Sequence, residues 1–157
     1  MDDRPSLTQG DNDNATNRNG ESKMSLDTAL VKAQQSIPEC VAAGYVDMST
    51  GMLLGVKTVD SHPQEVLDLV AAATADLFQG QSVTTIEKLF RKSRGQTEDG
   101  SHYFREIIVM SENLIHVFLR SKKKADQAVV FVCRGSANIG MVLSKSRASL
   151  PDVESAV

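Results

Sequence analysis

The sequence predicts an α/β sandwich in which one five-stranded, mostly antiparallel sheet carries helices on both faces. Three observations support this fold class. A strand–turn–strand pattern covers residues 40–59, and three further apolar strands follow one another over 103–134. Amphipathic helical patterns stand before, between and after these two groups of strands. The expected element order is α-β-β-α-β-β-β-α, with one additional helix in an insert at 80–102.

The composition fits one domain with an aliphatic core. The chain has 157 residues, of which 41% are hydrophobic and only 4% aromatic, with no Trp. Residues 1–22 hold two arginines against five carboxylates and few apolar side chains, so they cannot bury enough surface to offset the entropy of ordering. We therefore expect a disordered N-terminal tail over 1–22, a domain over 23–150 and a short C-terminal tail over 151–157.

Two amphipathic helices are predicted at the ends of the domain. Ser25 is the expected N-cap of the first helix, and Pro38 ends it because proline cannot donate the next hydrogen bond. The last helix is expected over 137–148 with Ser136 as its cap. Both helices have one apolar stripe, which is typical of a helix that packs on a sheet.

The helix predicted over 64–79 has more apolar surface than one sheet face can cover. It is expected to start at a capping box of Ser61 and Gln64 and to stop at Gly80. A surface helix needs one apolar stripe. The second stripe needs another cover, which is either a partner chain or the insert helix predicted over 82–92. One stripe consists of Val66, Leu69, Val70, Ala73 and Leu77. The other consists of Leu67, Ala71, Thr74 and Phe78.

The strands fall into a hairpin and a meander. The hairpin joins 40–47 to 52–59 through a turn closed by Gly51. Gly44 and Gly55 inside its strands indicate a bulge or a close contact with a helix. The last two strands of the meander are apolar at nearly every position, as expected for strands covered on both faces. The three meander strands are predicted over 103–111, 114–120 and 128–134.

This order of elements, and the residues at its joints, resemble the roadblock/dynein light chain superfamily. The resemblance rests on the hairpin "IPECVAAGYVDMSTGMLLG", with Asp47 and Gly51 at its turn, and on the long apolar helix over 64–79. The terminal meander and last helix complete it, so that it covers about residues 25–148. The insert after Gly80 departs from the family pattern.

The resemblance implies a non-enzymatic regulatory or scaffolding module. Members of the family form dimers in which the third strands pair edge to edge and the second helices lie side by side. The implied partners are a second copy of this chain and a small Ras-like GTPase or an adaptor complex. An open edge strand and a two-striped helix agree with a dimer. The expected interface residues are Leu67, Ala71, Thr74 and Phe78 on the helix, and Arg105, Ile107 and Val109 on the third strand.

The alternative function is a nucleotide- or small-ligand-sensing module of profilin-like fold. Its candidate site is the turn that contains Gly135, Ser136 and Asn138. Free N–H groups at the start of the following helix could hold an anion there. A plain strand-to-helix turn capped by Ser136 explains the same pattern, so both interpretations stay open.

Catalytic and metal chemistry have little support. Cys40 and Cys133 lie in apolar strands and are expected to be buried, reduced thiols. Hydrolysis would need one of them beside His62, His102 or His116, and no local pattern pairs them. Three scattered histidines offer no metal-ligand spacing, so we expect no enzyme activity, no metal and no cofactor.

The charge distribution bears on partners and location. The net charge of −3 resides in the N-terminal segment, so the rest of the chain is neutral and has no general attraction to nucleic acid. Basic clusters at 88–94 and 122–124 are expected to be solvated or to meet an acidic partner. No apolar run is long enough to span a bilayer and the first ten residues are polar, so we expect a cytoplasmic protein without membrane insertion.

Overall fold

The computed structural model describes residues 24–157 as one five-stranded sheet with helices on both faces, which confirms the predicted α/β sandwich. The predicted tail over 1–22 lies outside the described residues. Within residues 24–157, no helix combines the length and the apolar composition needed to cross a membrane. The elements are α1 (Leu26–Ser36), β1 (Cys40–Asp47), β2 (Met52–Thr58), α2 (Gln64–Gln79), α3 (Gln81–Ser93), β3 (Glu106–Met110), β4 (Leu114–Arg120), β5 (Gln127–Arg134) and α4 (Ile139–Ser155).

All neighbouring strands are antiparallel, and their order across the sheet is β2-β1-β5-β4-β3. The hairpin and the meander are therefore joined at the centre of the sheet by the β1–β5 pair. β2 and β3 are the two edge strands. This topology places the first strand of the meander at an open edge, far from the hairpin.

The hairpin turn forms as predicted. The Asp47 side chain accepts hydrogen bonds from the Ser49 backbone N–H at 3.0 Å and from the Ser49 hydroxyl at 2.6 Å. These bonds, with the side-chain one dominant, hold the pKa of Asp47 below its usual value. Gly51 has a φ of 72°, which glycine adopts at little cost.

Gly55 combines the two roles predicted for a glycine in the hairpin. The register between β1 and β2 shifts beside Tyr45, which pairs with Gly55, and the pairing then skips Leu54. A Cβ at Gly55 would lie 2.9 Å from Leu26 Cδ2 and 3.1 Å from Leu30 Cδ1. The missing side chain therefore allows α1 to pack closely on the bulged strand.

α1 and α4 cover one face of the sheet and form the larger core with it. Burial of a large aliphatic side chain stabilises the fold by about 1.5–3 kcal/mol, so this layer supplies much of the stability. Ser25 caps α1 as predicted, because its hydroxyl accepts a hydrogen bond from the Thr28 N–H at 3.1 Å. The core residues include Ala29, Leu30 and Ala33 of α1, Tyr45, Val117 and Phe131 of the sheet, and Val142, Leu150 and Val153 of α4.

The last helix continues beyond its predicted end. α4 passes through Pro151, so the predicted tail over 151–157 was wrong. Tertiary contacts explain the continuation. Val153 is fully buried in the core, and the carboxylate of Glu154 accepts a hydrogen bond from the Ser121 hydroxyl at 2.7 Å. These contacts outweigh the hydrogen bond that the proline removes.

Two other boundaries differ from the prediction. β3 spans only Glu106–Met110 instead of 103–111. α2 begins without the predicted capping box, because Pro63 is its N-cap residue and no side chain accepts a hydrogen bond there. The first turn of α2 is therefore less firmly held than its last turn.

A buried arginine joins the end of α2 to the sheet. Arg120 ends β4 and is only 2% exposed. Its guanidinium donates hydrogen bonds to the backbone carbonyls of Phe78 at 2.9 Å, Phe104 at 3.0 Å and Ala125 at 2.7 Å. Its Cζ also lies 4.9 Å from the centre of the Phe78 ring. The carbonyl of Phe78 belongs to the last turn of α2, where carbonyls have no N–H partners within the helix and favour a cation.

Replacement of Arg120 by Met leaves three carbonyls without their donor. We expect the free energy of unfolding to fall by about 3 kcal/mol. Arg120→Lys is also destabilising, because an ammonium cannot reproduce the fork of donors. Chemical denaturation at one fixed protein concentration measures both changes. The control Lys122→Met, at an exposed neighbour, changes the free energy by less than about 0.5 kcal/mol. An Arg120→Met variant as stable as the parent would contradict this role.

An ion pair ties the edge strand β3 to α4. Arg147 donates from Nε to Glu106 Oε1 at 2.9 Å and from Nη2 to Oε2 at 2.8 Å. Hydrogen bonding and the positive charge of Arg147 together lower the pKa of Glu106. The unfolded chain therefore binds a proton at Glu106 more readily than the folded chain does.

This pair makes a stabilising contribution that depends on pH. The contribution is complete above the usual glutamate pKa of 4.5 and is lost as the pH falls through the lower pKa of folded Glu106. We expect Glu106→Gln to lower the thermal midpoint at pH 7, and the difference from the parent to shrink below about pH 4.5. Glu112→Gln, at an exposed position, is the control. A difference that grows towards acid pH would refute the assignment.

Candidate functional site

α2 packs on the sheet face opposite α1 and α4, and three residues predicted for a dimer interface form its inner stripe. Ala71, Thr74 and Phe78 are each 0% exposed. The Thr74 hydroxyl is satisfied within the helix, because it donates to the Val70 carbonyl at 2.8 Å. These three residues therefore belong to the core of the single chain, which corrects their assignment to an interface. Leu67, the fourth predicted residue, is half-buried.

The other stripe of α2 is exposed. Sequence reasoning found both stripes but assigned the wrong one to the outside, because helical spacing separates faces without giving their direction. Glu65, Asp68 and Asp76 are exposed on the same helix, and α2 contains no basic residue. The α2 stripe consists of Val66, Leu69, Val70 and Leu77, which are 46%, 66%, 41% and 36% exposed.

β3 has an open side beside this helix face. It pairs with β4, and no other described strand pairs with its outer edge. Ile107 is half-buried and packs against the core beneath α2, whereas Val109 is 39% exposed. Arg105 lies just before the strand and is exposed. Of the three predicted strand residues, Ile107 and Val109 thus point to the α2 side of the sheet at an unpaired edge.

The sheet face under α2 is only half covered. α2 packs over β1 and β2. On the other half of the same face, His116 lies opposite Val109 and is half-buried. Residues with apolar side chains on this half, such as Leu114 and Val132, also remain partly accessible. The chain therefore leaves a strip of sheet beside α2 without a covering helix.

A groove runs beneath the first half of α2 at the end of the sheet. Its volume is about 390 Å³, and apolar side chains dominate its walls. Val66 and Val70 of the α2 stripe form part of the rim, so stripe and groove are continuous. Arg134, His62 and Asp60 provide the charged or titratable groups of the lining.

The insert after Gly80 forms a helix whose charged face is turned inward. In α3, Glu87 is 1% exposed and Arg91 is 4% exposed. Glu87 accepts a hydrogen bond from the Tyr103 backbone N–H, and its carboxylate lies 3.1 Å from His102 Nδ1. Arg91 donates to Glu98 at 2.6 Å and lies 4.7 Å from the centre of the Tyr103 ring. Because α3 holds residues 102 and 103, the chain before Glu106 does not extend β3.

The outward face of α3 is apolar. Lys88 and Lys92 beside it are exposed and have no side-chain partner among the described residues. The insert does not cover the α2 stripe within the chain, which was one of the two covers that the sequence left open. Sequence spacing grouped these apolar residues, but only the buried polar network shows that they face outward. The α3 ridge consists of Ile86, Leu89 and Phe90, which are 43%, 60% and 52% exposed.

The turn predicted as an anion or ligand site already binds groups of the chain. The Ser136 hydroxyl lies 2.9 Å and 3.0 Å from the two carboxylate oxygens of Glu39 and donates to that carboxylate. Asn138, rather than Ser136, caps α4 by accepting a hydrogen bond from the Met141 N–H at 3.0 Å. The Gly135 N–H donates to a loop carbonyl at 2.7 Å. The Ser136 hydroxyl, the Gly135 N–H and the Met141 N–H thus have partners within the chain.

The sheet separates the thiols from the histidine of β4. Cys40 and Cys133 are buried, free and directly paired across β1 and β5. A hydrogen bond with Cys40, together with burial, raises the pKa of Cys133 far above its usual value. His116 faces the opposite side, stacks on Phe118 and has its pKa lowered by burial. Successive strand residues alternate faces, so Cys133 and His116 cannot form a catalytic pair.

A central sheet built from a hairpin and a meander, with two helices on one face and one on the other, is the fold that this chain shares with roadblock domains. Solved structures confirm the resemblance at the level of fold. A Roadblock/LC7 domain from Streptomyces avermitilis superimposes with a TM-score of 0.58 and 15% identity, covering 83% of this chain and 96% of that one. No protein-family model matches the sequence, and no curated protein matches it.

Two structures of the protein MglB share the fold to a similar extent. The gliding protein MglB from Thermus thermophilus has a TM-score of 0.58 and 17% identity, over 82% of this chain and 85% of its own. A structure of MglB with a tetrameric arrangement has a TM-score of 0.60 and 19% identity, with the same coverage. At these identities the comparisons show the shared fold alone.

The inward network of α3 predicts a specific effect of Glu87→Ala. Loss of the carboxylate leaves the Tyr103 N–H without its partner and frees the loop over 96–103. We expect the free energy of unfolding to fall by about 1–3 kcal/mol and hydrogen exchange in that loop to accelerate. Gln81→Ala, at an exposed position of the same helix, should change neither quantity. Unchanged exchange in the loop of Glu87→Ala would show that the network does not hold it.

Proposed function

We propose that this chain is a homodimeric regulatory or scaffolding module that acts by binding other proteins. The observation that carries the proposal is the α2 stripe, an exposed apolar surface that lies beside a half-covered sheet face and an open strand edge. Contiguous apolar surface of this kind marks interaction sites. A second copy of the chain supplies what each of these surfaces lacks.

A two-fold arrangement matches the surfaces to one another. In such a dimer the same patch of each copy meets itself, so α2 lies beside α2 and β3 pairs with β3. The partner's α2 then covers the strip of sheet near Val109 and His116, and the two sheets become continuous. The proposed contact residues are the α2 stripe, with Ile107 and Val109 and the adjacent Arg105. The tetrameric arrangement of MglB shows self-association in a protein of the same fold.

The proposed partner of the dimer is a small Ras-like GTPase or an adaptor complex in the cytoplasm. The resemblance to the roadblock superfamily supplies this expectation. A dimer offers its partner a continuous sheet and two copies of every exposed surface. The role is regulatory rather than catalytic, in agreement with the separation of Cys133 from His116 across the sheet.

A small apolar ligand is the second candidate, and the groove of about 390 Å³ beneath α2 favours it. Its size lies within the range of ligand pockets, and its lining is mainly apolar with few charged groups. This site differs from the turn around Ser136 that the sequence indicated. Two results would favour this function over the dimer. The chain would stay monomeric, and a ligand from its host would compete with an apolar dye for the groove.

The interface predicts that Leu69→Glu separates the dimer. Leu69 is the most exposed residue of the α2 stripe, so the change buries a charge only when two copies associate. We expect the dissociation constant to rise at least about tenfold while the fold is kept. Sedimentation velocity at several concentrations measures it. The control Met52→Glu alters an equally apolar residue, 61% exposed on the other edge strand, and should leave the dimer intact. A parent chain that stays monomeric at every concentration contradicts the proposal.

Binding of a GTPase should depend on the dimer. We expect the parent and Met52→Glu to bind a Ras-like GTPase of the host, loaded with GDP or a GTP analogue, and Leu69→Glu to bind at least about tenfold more weakly. Titration calorimetry with the full chain measures this. If the parent dimer binds neither loaded form, the GTPase assignment is wrong although the dimer stands.

A further inference from the structure

The α3 ridge needs a partner because the chain holds it outward. Glu87 and Arg91 fix α3 by its charged face, and the network they form with 98–103 leaves no freedom to turn the helix over. Leu89 and Phe90 therefore stay more than half exposed. Large apolar side chains grouped on a rigid helix are a docking surface rather than scattered surface residues.

The ridge and the α2 stripe have opposite charges beside them. The exposed ionisable groups of α2 are Glu65, Asp68 and Asp76, and the helix has no basic residue. The exposed ionisable groups of α3 are Lys88 and Lys92, because its remaining charges, Glu87 and Arg91, are buried and paired within the insert. An apolar surface with an acidic border thus occurs in the same chain as an apolar surface with a basic border.

The two surfaces cannot meet within one chain. Gly80 is both the C-cap of α2 and the N-cap of α3, so no connecting residues allow the second helix to fold back along the first. Antiparallel neighbouring helices usually need a loop of two or more residues. Both surfaces accordingly remain exposed in the structure.

The two surfaces meet when they belong to different copies of the chain. In the proposed dimer the two α2 helices run antiparallel, so the end of one α2, where α3 begins, lies beside the start of the other α2. That start carries Val66, Leu69, Glu65 and Asp68, the residues that the ridge and its lysines complement. We propose that α3 of each copy packs on the first half of the partner's α2, with the α3 ridge on the α2 stripe and Lys88 and Lys92 beside Glu65 and Asp68.

This inference rests on the proposed homodimer and gives the insert a function, which is to extend the interface and select a second copy of the same chain as partner. Charge complementarity at the border of an apolar contact contributes mainly to specificity. Each dimer contains the contact twice because of the two-fold symmetry. The contact thereby covers Ile86, Leu89 and Phe90 of the α3 ridge, which neither the α2–α2 nor the β3–β3 contact reaches.

The test is an exchange of charges between the two surfaces. One variant of the full chain carries Lys88→Glu and Lys92→Glu, and a second carries Glu65→Lys and Asp68→Lys. Each variant alone places like charges in both contacts, so we expect its dimer to dissociate about tenfold more readily than the parent. An equimolar mixture should recover the parent's affinity as a heterodimer. One chain with all four changes should recover it as a homodimer.

A matched control separates this contact from a general charge effect. Lys123→Glu with Lys124→Glu makes the same change in net charge on an exposed loop outside the proposed contact. This control should dimerise like the parent and should not pair preferentially with the Glu65→Lys, Asp68→Lys variant. Circular dichroism of every variant shows that the helices are kept, and sedimentation equilibrium with differently labelled copies measures the affinities.

The other outcomes overturn the inference and can be told apart. If both reversed variants dimerise like the parent, the α3 contact is absent while the homodimer stands. If they dimerise normally but lose affinity for a GTPase, the ridge is a docking site for that partner instead. If they weaken the dimer but the equimolar mixture does not regain the parent's affinity, the reversed charges act at another place on the chain. If the parent itself is monomeric, the proposed function has failed together with this inference.

Discussion

The buried guanidinium of Arg120 determines which side of α2 faces the sheet and which side faces outward. It binds the carbonyl of Phe78 at the end of α2 and the carbonyl of Phe104 before β3. With the end of α2 fixed and Phe78 packed beneath it, the inner stripe must face the sheet. The opposite stripe must then face outward, and Gly80 must direct the following helix away from it. One buried cation that satisfies backbone carbonyls thus decides which apolar residues remain available to a partner.

The insert repeats this arrangement on a smaller scale. In α3 a buried Glu87 and a buried Arg91 are satisfied by the chain that leads to β3. A buried charge without partners is costly, whereas a fully bonded one fixes a single orientation. The polar interior of the insert therefore explains its apolar exterior. The same contacts shorten β3 at its start, so the edge strand presents only the residues from Glu106 to Met110.

The parts of the fold that depend on local pattern were predictable. The hairpin turn at Asp47 and Gly51, the cap at Ser25 and the apolar strands of the meander all depend on residues close in sequence. The errors depend on distant contacts. The continuation of α4 past Pro151 follows from contacts with β4 and its loop, and the outward face of α2 follows from Arg120, 42 residues from Phe78. Nothing in the sequence near 87–91 shows that its charges are buried.

The same distinction applies to the candidate site. Periodicity identified two apolar stripes on α2 and a group of apolar residues on α3. It could not show which stripe meets the sheet, so Ala71, Thr74 and Phe78 were assigned to an interface although they form the core. At the turn around Ser136 the strand-to-helix pattern was found, but Asn138 is the cap of α4, and the Ser136 hydroxyl is bound by Glu39, a residue almost one hundred positions away.

Hydrogen exchange at protein concentrations below and above those at which the dimer forms is the decisive measurement for the proposed interface, because it reports which backbone amides are covered when two copies associate. We expect added protection of the β3 amides over 106–110 and of the helix over 64–79 in the dimer, with no change in the other edge strand over 52–58. Protection confined to 52–58, or no added protection at any concentration, would contradict the proposed interface.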